Sequence, residues 1–304
     1  MGSAGVADIV CEAPGLKLSS SGAGSGRSFG MTKLAEVFDA RELTWNLTLR
    51  ELRGRYKKSV LGWSWSLLNP LSTVIIYSIV FAYFLKIEPP KGHPSGLHNF
   101  AAFLLCGLLP WNFLQASING SMGALIGNAN LIKKVYFPRE VFVVSAVASL
   151  VITFLIELGV LAVILLLLGN MVVPWLPIVL VIVAIQAVFC LGLGLMLSVL
   201  NVYFRDVQHL MNIVLAALFY SAPIVYPIRY VPRYAHVNGW TIPIGAIYRL
   251  NPLVQFIGAY RNAMYDLRFP PFLSILYLMA WSAVMLLIGL AVFRRLEGRV
   301  PEEV

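Results

Sequence analysis

The residues that could do chemistry in this chain form a pattern of binding, not of catalysis. Arg50, Arg53, Arg55, Lys57 and Lys58 crowd into RELRGRYKKSVLGWSWSLLNP (50–70), which runs through Trp63 and Trp65 into apolar sequence. On a helix, Trp45, Leu49, Leu52, Tyr56 and Val60 share a face while Arg50, Lys57 and Lys58 point the other way. A basic, aromatic-bearing helix of this kind lies at headgroup level with its cations toward lipid phosphates, as a juxtamembrane anchor. Glu157 is the one clear carboxylate inside an apolar stretch. A lone intramembrane acid is a functional candidate by default; a hydrogen-bonded Glu joining helices explains it as well, and is the favoured account. No second acid accompanies it for paired-carboxylate hydrolysis, and no Ser/His/Asp order is present. His93, His98, His209 and His236 lie in loops or at a helix start, and Cys11, Cys106 and Cys190 are scattered. Neither a metal-ligand spacing nor a disulfide framework follows. Neither catalysis nor a metal site is expected.

The sequence contains no G-x-x-x-x-G-K-[ST], so the chain does not itself cradle a nucleotide phosphate. ATP-driven work would need a second polypeptide, touched by a short cytoplasmic element. NANLIKKVYFPRE (128–140) is the best candidate. Exposed Leu131, Ile132, Val135, Tyr136 and Phe137 would suit docking onto protein, although resting on the lipid interface competes as an account. NVYFRD (201–206) is a shorter second loop, with Asp206 as a cap for the next helix. Aromatics recur near and within the apolar runs, including Tyr77, Phe81, Trp111, Phe113, Phe219 and Tyr220. Most such residues form interface belts; their other use is stacking on the C–H faces of sugar rings.

The elements that must position these residues are membrane helices. Of 304 residues, 59% are hydrophobic and only 12% charged, where soluble domains carry about a quarter charged residues. The expected class is an all-α integral membrane protein, and the net charge of +9 points to loop topology and anionic lipid, not nucleic acid. Residues 1–36 are Ser/Gly-rich and read as a disordered tail, not a signal peptide. Residues 37–66 form the amphipathic interface helix, 67–297 a six-helix domain, and 298–304 a short tail. The six spans are expected at 67–85, 100–126, 141–168, 175–200, 207–225 and 272–293. With both termini cytoplasmic, the short loops obey the positive-inside rule. That topology leaves Lys86, Lys91, Arg229, Arg233, Arg249, Arg261 and Arg268 outside. Within 226–271, Asn251-Pro252 reads as a helix cap and first-turn proline. Leu253, Phe256, Tyr260 and Met264 then make the apolar stripe of a helix too short to cross, which re-enters from outside or lies on the surface.

Several motifs together resemble one family, the permease subunit of bacterial ABC-2-type polysaccharide exporters of O-antigen, teichoic acid and capsule. They are 50–70, GLLPWNF (107–113), NANLIKKVYFPRE (128–140), NVYFRDV (201–207), SAPIVY (221–226) and NP (251–252). The first and third are specific, and the resemblance covers about 38–297. It implies a homodimeric channel paired with two copies of a separate ATP-binding subunit, which holds ATP and Mg; this chain binds no cofactor. It implies an ATPase-coupling set of Asn130, Leu131, Lys133, Lys134, Tyr136, Phe137, Arg139, Glu140 and Arg205, with the N-terminal helix as a second contact. It implies a polysaccharide carried on polyprenyl pyrophosphate, entering between the first and fifth spans. Arg50, Arg53, Arg55, Lys57 and Lys58 would then attract the pyrophosphate or lipid headgroup. Tyr77, Phe81, Trp111, Phe113 and Tyr220 would line the glycan path, and re-entrant helices would close the outer end. The Ser/Gly-rich extension departs from the family pattern; with the Trp- and Arg-rich composition it suits an actinobacterial galactan exporter of the plasma membrane. A small-molecule or lipid ABC-2 exporter is the alternative. An intramembrane enzyme would need catalytic acids beyond Glu157, and a secondary transporter would show repeated broken helices with midplane charges.

Overall fold

Apolar runs bounded by Asn and Pro become helices in this protein. A computed structural model describes residues 41–56, 65–84, 86, 90–134, 138–232, 234–237 and 240–299. The helices are α1 (Arg41–Tyr56), α2 (Trp65–Tyr77), α3 (Phe100–Gly127), α4 (Ala129–Lys134), α5 (Glu140–Leu167), α6 (Leu176–Tyr203), α7 (Asp206–Ser221), α8 (Ile244–Arg249), α9 (Pro252–Tyr260) and α10 (Phe272–Leu296). Two of them run on as π-helix, α2 through Ser78–Phe84 and α9 through Arg261–Asp266. The expected all-α class is modified by one short antiparallel hairpin, β1 (Ala235–Val237) and β2 (Trp240–Ile242), paired Ala235↔Ile242, His236↔Thr241 and Val237↔Trp240.

Among the described residues four helices are long and apolar enough to cross a membrane: α3, α5, α6 with the 3-10 turn before it, and α10. They occupy the second, third, fourth and sixth expected spans. The first expected span is α2 with its π extension. The fifth is α7, whose 16 residues reach about 24 Å, short of the roughly 30 Å hydrocarbon core. The chain is therefore a multi-pass helical membrane protein.

α3 is the central post. From Phe100 to Leu114 it is buried at every position except Ala101 and Asn112. Asn99 starts it, its Oδ1 accepting from the Ala102 N–H at 3.1 Å, which satisfies one of the donors a helix start leaves orphaned. Amides on α6 bind α3 through backbone oxygens: Gln186 donates to Pro110 at 2.9 Å and Asn201 to Met122 at 3.0 Å. In a setting without water such contacts join helices that apolar faces alone would hold weakly. The closest crossing is α6 on α10. A Cβ on Gly289 would sit 2.1 Å from the Gly192 carbonyl oxygen, and one on Gly192 would lie 2.4 Å from the Met285 backbone. Only glycine permits that approach, and the backbones touch there.

The Asn251-Pro252 start of α9 is as expected: Asn251 Oδ1 accepts from the Leu253 N–H at 3.0 Å. Leu253, Phe256, Tyr260 and Met264 are all buried, with α9 packed on α3, α6 and α10. Two local expectations are corrected. Asp206 is the first helical residue of α7 and Arg205 the capping position. In α1 the buried residues are Leu47, Thr48 and Leu52, while Trp45 is 56% exposed. α1 packs along α5. The expected 1–36 tail lies outside the described residues, as does 298–304 beyond Arg299.

Candidate functional site

α2 and α7 both touch α3 and are otherwise loosely held. α2 leaves Leu71, Ile75, Ile76 and Ile79 exposed, and α7 leaves Leu210 and Ile213 exposed. Aromatic rings bridge the three helices. Phe81 meets Tyr77 edge-on at 5.8 Å, Tyr77 meets Phe219 at 6.3 Å, Phe219 meets Trp111 at 5.7 Å and Tyr220 at 5.2 Å. Trp111 is buried at one end of this chain, and Tyr220 is 74% exposed at the other. Tyr226 steadies that end by donating to the Tyr220 carbonyl at 2.9 Å and pairing with the Tyr248 hydroxyl at 3.0 Å. Four of the five expected path residues thus come together. Phe113 does not: it is buried and stacked on Phe154 at 4.7 Å, inside the core. Phe219, which connects three of the rings, had no place in the expected set.

α3 also carries a polar stripe, whose Gly123 and Gly127 line a pocket with Arg50 and Glu51 of α1 and Ala146 of α5. On α3 the residues left accessible beyond the buried half include Asn112, Gln115, Asn119, Gly123 and Gly127, a stripe at helical spacing. Asn119 Oδ1 is buried without a hydrogen-bond partner among the described residues. On α7, Gln208, His209 and Asn212 are exposed as well. Amides on the open face of a spanning helix are costly against hydrocarbon, so such a face meets water or another protein surface. The signal for them is present in the sequence, as Asn/Gln at three- and four-residue spacing within an apolar run.

The 128–140 loop is built differently from the exposed docking loop expected. Ile132 is buried and Leu131 half-buried; they join Leu47, Leu125, Phe142, Val199 and Phe293 in a second apolar core. Amphipathic α4 turns its apolar side inward, so Asn130 and Lys133 are what it presents outward. Glu140 is buried at 5%. Arg139 donates to the Glu297 carbonyl, and the Tyr203 hydroxyl donates to the Leu296 carbonyl at 2.7 Å. Both serve the unsatisfied end of α10. Arg205 is exposed. Tyr136 and Phe137 lie outside the described residues, and Lys134 is described in its backbone alone. In the basic helix, Arg50 hydrogen-bonds the Asn128 side chain and lies 3.7 Å from Glu51, which pins α1 to the end of α3. Arg53 is exposed. Arg55 is described in its backbone alone, and Lys57 and Lys58 lie outside the described residues.

The ABC-2 type transporter family matches the chain over residues 42–265. The chain belongs to that family. Among ABC-2 relatives, the O-antigen export system permease protein RfbA of Klebsiella pneumoniae is 31% identical over 258 residues, covering 84% of this chain and 92% of that protein. The protein of the same name from Myxococcus xanthus is 30% identical over 271 residues, covering 88% and 98%. The polysialic acid transport protein KpsM of Escherichia coli is 27% identical over 263 residues, covering 83% and 92%. As an ABC-2 member the chain is a membrane transport subunit, with ATP hydrolysis on a separate subunit. Among the described residues no three His, Cys, Asp or Glu gather to hold a metal. Glu157 is half-buried on α5 and has no hydrogen-bond partner among the described residues, so the expected helix-joining bond is not seen there.

Proposed function

We propose that this chain is the channel-forming permease of an ATP-driven exporter that moves polyprenyl-pyrophosphate-linked polysaccharide from the cytoplasmic to the outer side of the plasma membrane. The single observation that carries this proposal is the face shared by α2, α3 and α7. It carries linked aromatic rings, and a separate stripe of amides and glycines runs along α3, its Gly123 and Gly127 beside Arg50 and Glu51 of α1. A path for a sugar polymer needs both: rings on which C–H faces slide, and amides that exchange hydrogen bonds with hydroxyls and water. The kinship with the O-antigen and polysialic acid proteins supports the same cargo class.

In this reading two copies of the chain enclose the path and two copies of an ATP-binding subunit drive it. α2 and α7 complete six spans per copy, both termini face the cytoplasm, and the α8–α9 region re-enters from outside. Asn130 and Lys133 on α4, with Arg205, face the ATPase. Arg53 and its basic neighbours attract the pyrophosphate at the entrance. The Ser/Gly-rich extension suits a cell-wall galactan as cargo. Depleting the protein in its host and analysing lipid-linked intermediates tests all of this at its root. A full-length polyprenyl-pyrophosphate glycan should accumulate inside as the same glycan disappears outside. No change in any glycan would sink the proposal in favour of a small-molecule or lipid exporter.

A further inference from the structure

Lys91, Arg229, Arg261 and Arg268 are placed by the topology on the side of the membrane where positive residues are scarce. The fold gathers all four around one pocket of about 310 Å³, with His93 beside them and Asp266 as the one carboxylate among its described lining residues. They come from three separate segments: the loop before α3, the turn after α7, and the π-helical end of α9 with the residues that follow it. Their convergence is therefore a product of tertiary structure.

Arg261 is the foundation. It is only 8% exposed, its Nη1 donates to the Pro223 carbonyl, and its Nη2 donates to the Ile224 carbonyl at 2.6 Å. Its guanidinium carbon lies 3.6 Å from the Phe103 ring centroid. Nε has no hydrogen-bond partner among the described residues. Two neutral carbonyls and a ring orient this cation without neutralising it. Asp266 is matched by Arg268 at 3.4 Å and accepts from the His93 N–H at 3.3 Å. Burial nevertheless pushes its carboxyl up from the usual range, with Arg268 and His93 opposing. A site whose described lining sets four cations against one carboxylate, walled by Phe103, Pro223 and Val254, favours a compact anion held beside apolar matter. Its volume is at the small end of ligand pockets, the scale of a headgroup and not of a sugar chain.

We propose that this outer pocket binds a phosphoryl anion, carried either on a membrane lipid or on a soluble phosphate. The inference does not depend on what the exporter carries, and its test leaves the exported cargo aside. The full chain is purified in detergent, and two probes are used. One is native mass spectrometry after exchange into phosphatidylglycerol or phosphatidylcholine; the other is calorimetric titration with inorganic pyrophosphate. The variants are Lys91→Gln and Lys91→Gln with Arg229→Gln; Lys91 is exposed, so the single variant keeps the fold. Arg261 and Arg268 are left intact because they hold backbone and Asp266.

The parent should retain phosphatidylglycerol over phosphatidylcholine, or take up pyrophosphate, and the double variant should lose at least about tenfold in that affinity. Lipid retention alone assigns the anion to a headgroup, and pyrophosphate uptake alone assigns it to a soluble phosphate. Equal retention of both lipids with no pyrophosphate heat overturns the proposal. So does a double variant that binds as the parent does.

Discussion

α6 and α10 meet backbone to backbone at Gly192 and Gly289, whereas α2 and α7 lean on α3 through aromatic rings and leave a face open. One pair can hardly part without losing its contact entirely; the other can shift by rotating rings. The contrast divides the bundle into a half that holds its shape and a half with few contacts to lose. Local opening is drawn from regions of sparse packing, so the movable surface of this transporter is expected at α2 and α7, with α6–α10 as the frame.

The largest effect should come from forcing the frame apart. Gly289→Val puts side-chain atoms into the Gly192 backbone and should destabilise the protein by about 3 kcal/mol. Thermal unfolding in detergent reads this, and an unchanged melting temperature would show that the frame yields. Arg261→Leu strands the Pro223 and Ile224 carbonyls where the chain leaves α7, at a cost of roughly 2 kcal/mol by the same assay. A smaller loss would mean water reaches those carbonyls.

On the open half the balance of effects should reverse. Gln115→Leu with Asn119→Leu should move stability by less than about 1 kcal/mol while export of polymer drops several-fold; normal export would remove the amide stripe from the path. Lys133→Glu with Lys134→Glu should abolish stimulation of the partner ATPase without moving the melting temperature, and full stimulation would take α4 out of that interface. The smallest change is expected for Tyr220→Ala. Its ring is largely exposed, so stability should hold within about 0.5 kcal/mol, with a slowed export rate as the only sign.

Much of the scaffold was legible in the chain. Apolar runs of spanning length become α3, α5, α6 and α10, because hydrophobic length is a local property of sequence. The Asn251-Pro252 cap is equally local, and the structure shows it atom for atom. What failed was the choice of face. Leu131 and Ile132 were expected to face outward and instead pack with Leu47 and Phe293. In α1, Leu47 and Thr48 are buried beside Leu52, where Trp45 and Leu49 were expected to share its face. In each case the neighbour that decides the matter lies far away in the chain. Arg139 shows the same limit: its position beside the loop suggests a partner protein, yet it serves the carbonyl of Glu297.

By itself, then, the sequence determined that this protein lives in a membrane, where most of its helices begin and which of its charges are basic. These follow from hydrophobic length, capping chemistry and motif, which act over a few turns of chain. Only the tertiary structure decided which residues share a surface. It joined Tyr77, Trp111 and Phe219 across three helices, sent Phe113 into the core, and drew four distant cations around one pocket. Side-chain direction on a helix is set by the turn, but which direction is inward is set by whatever packs against it, and that partner is not written nearby.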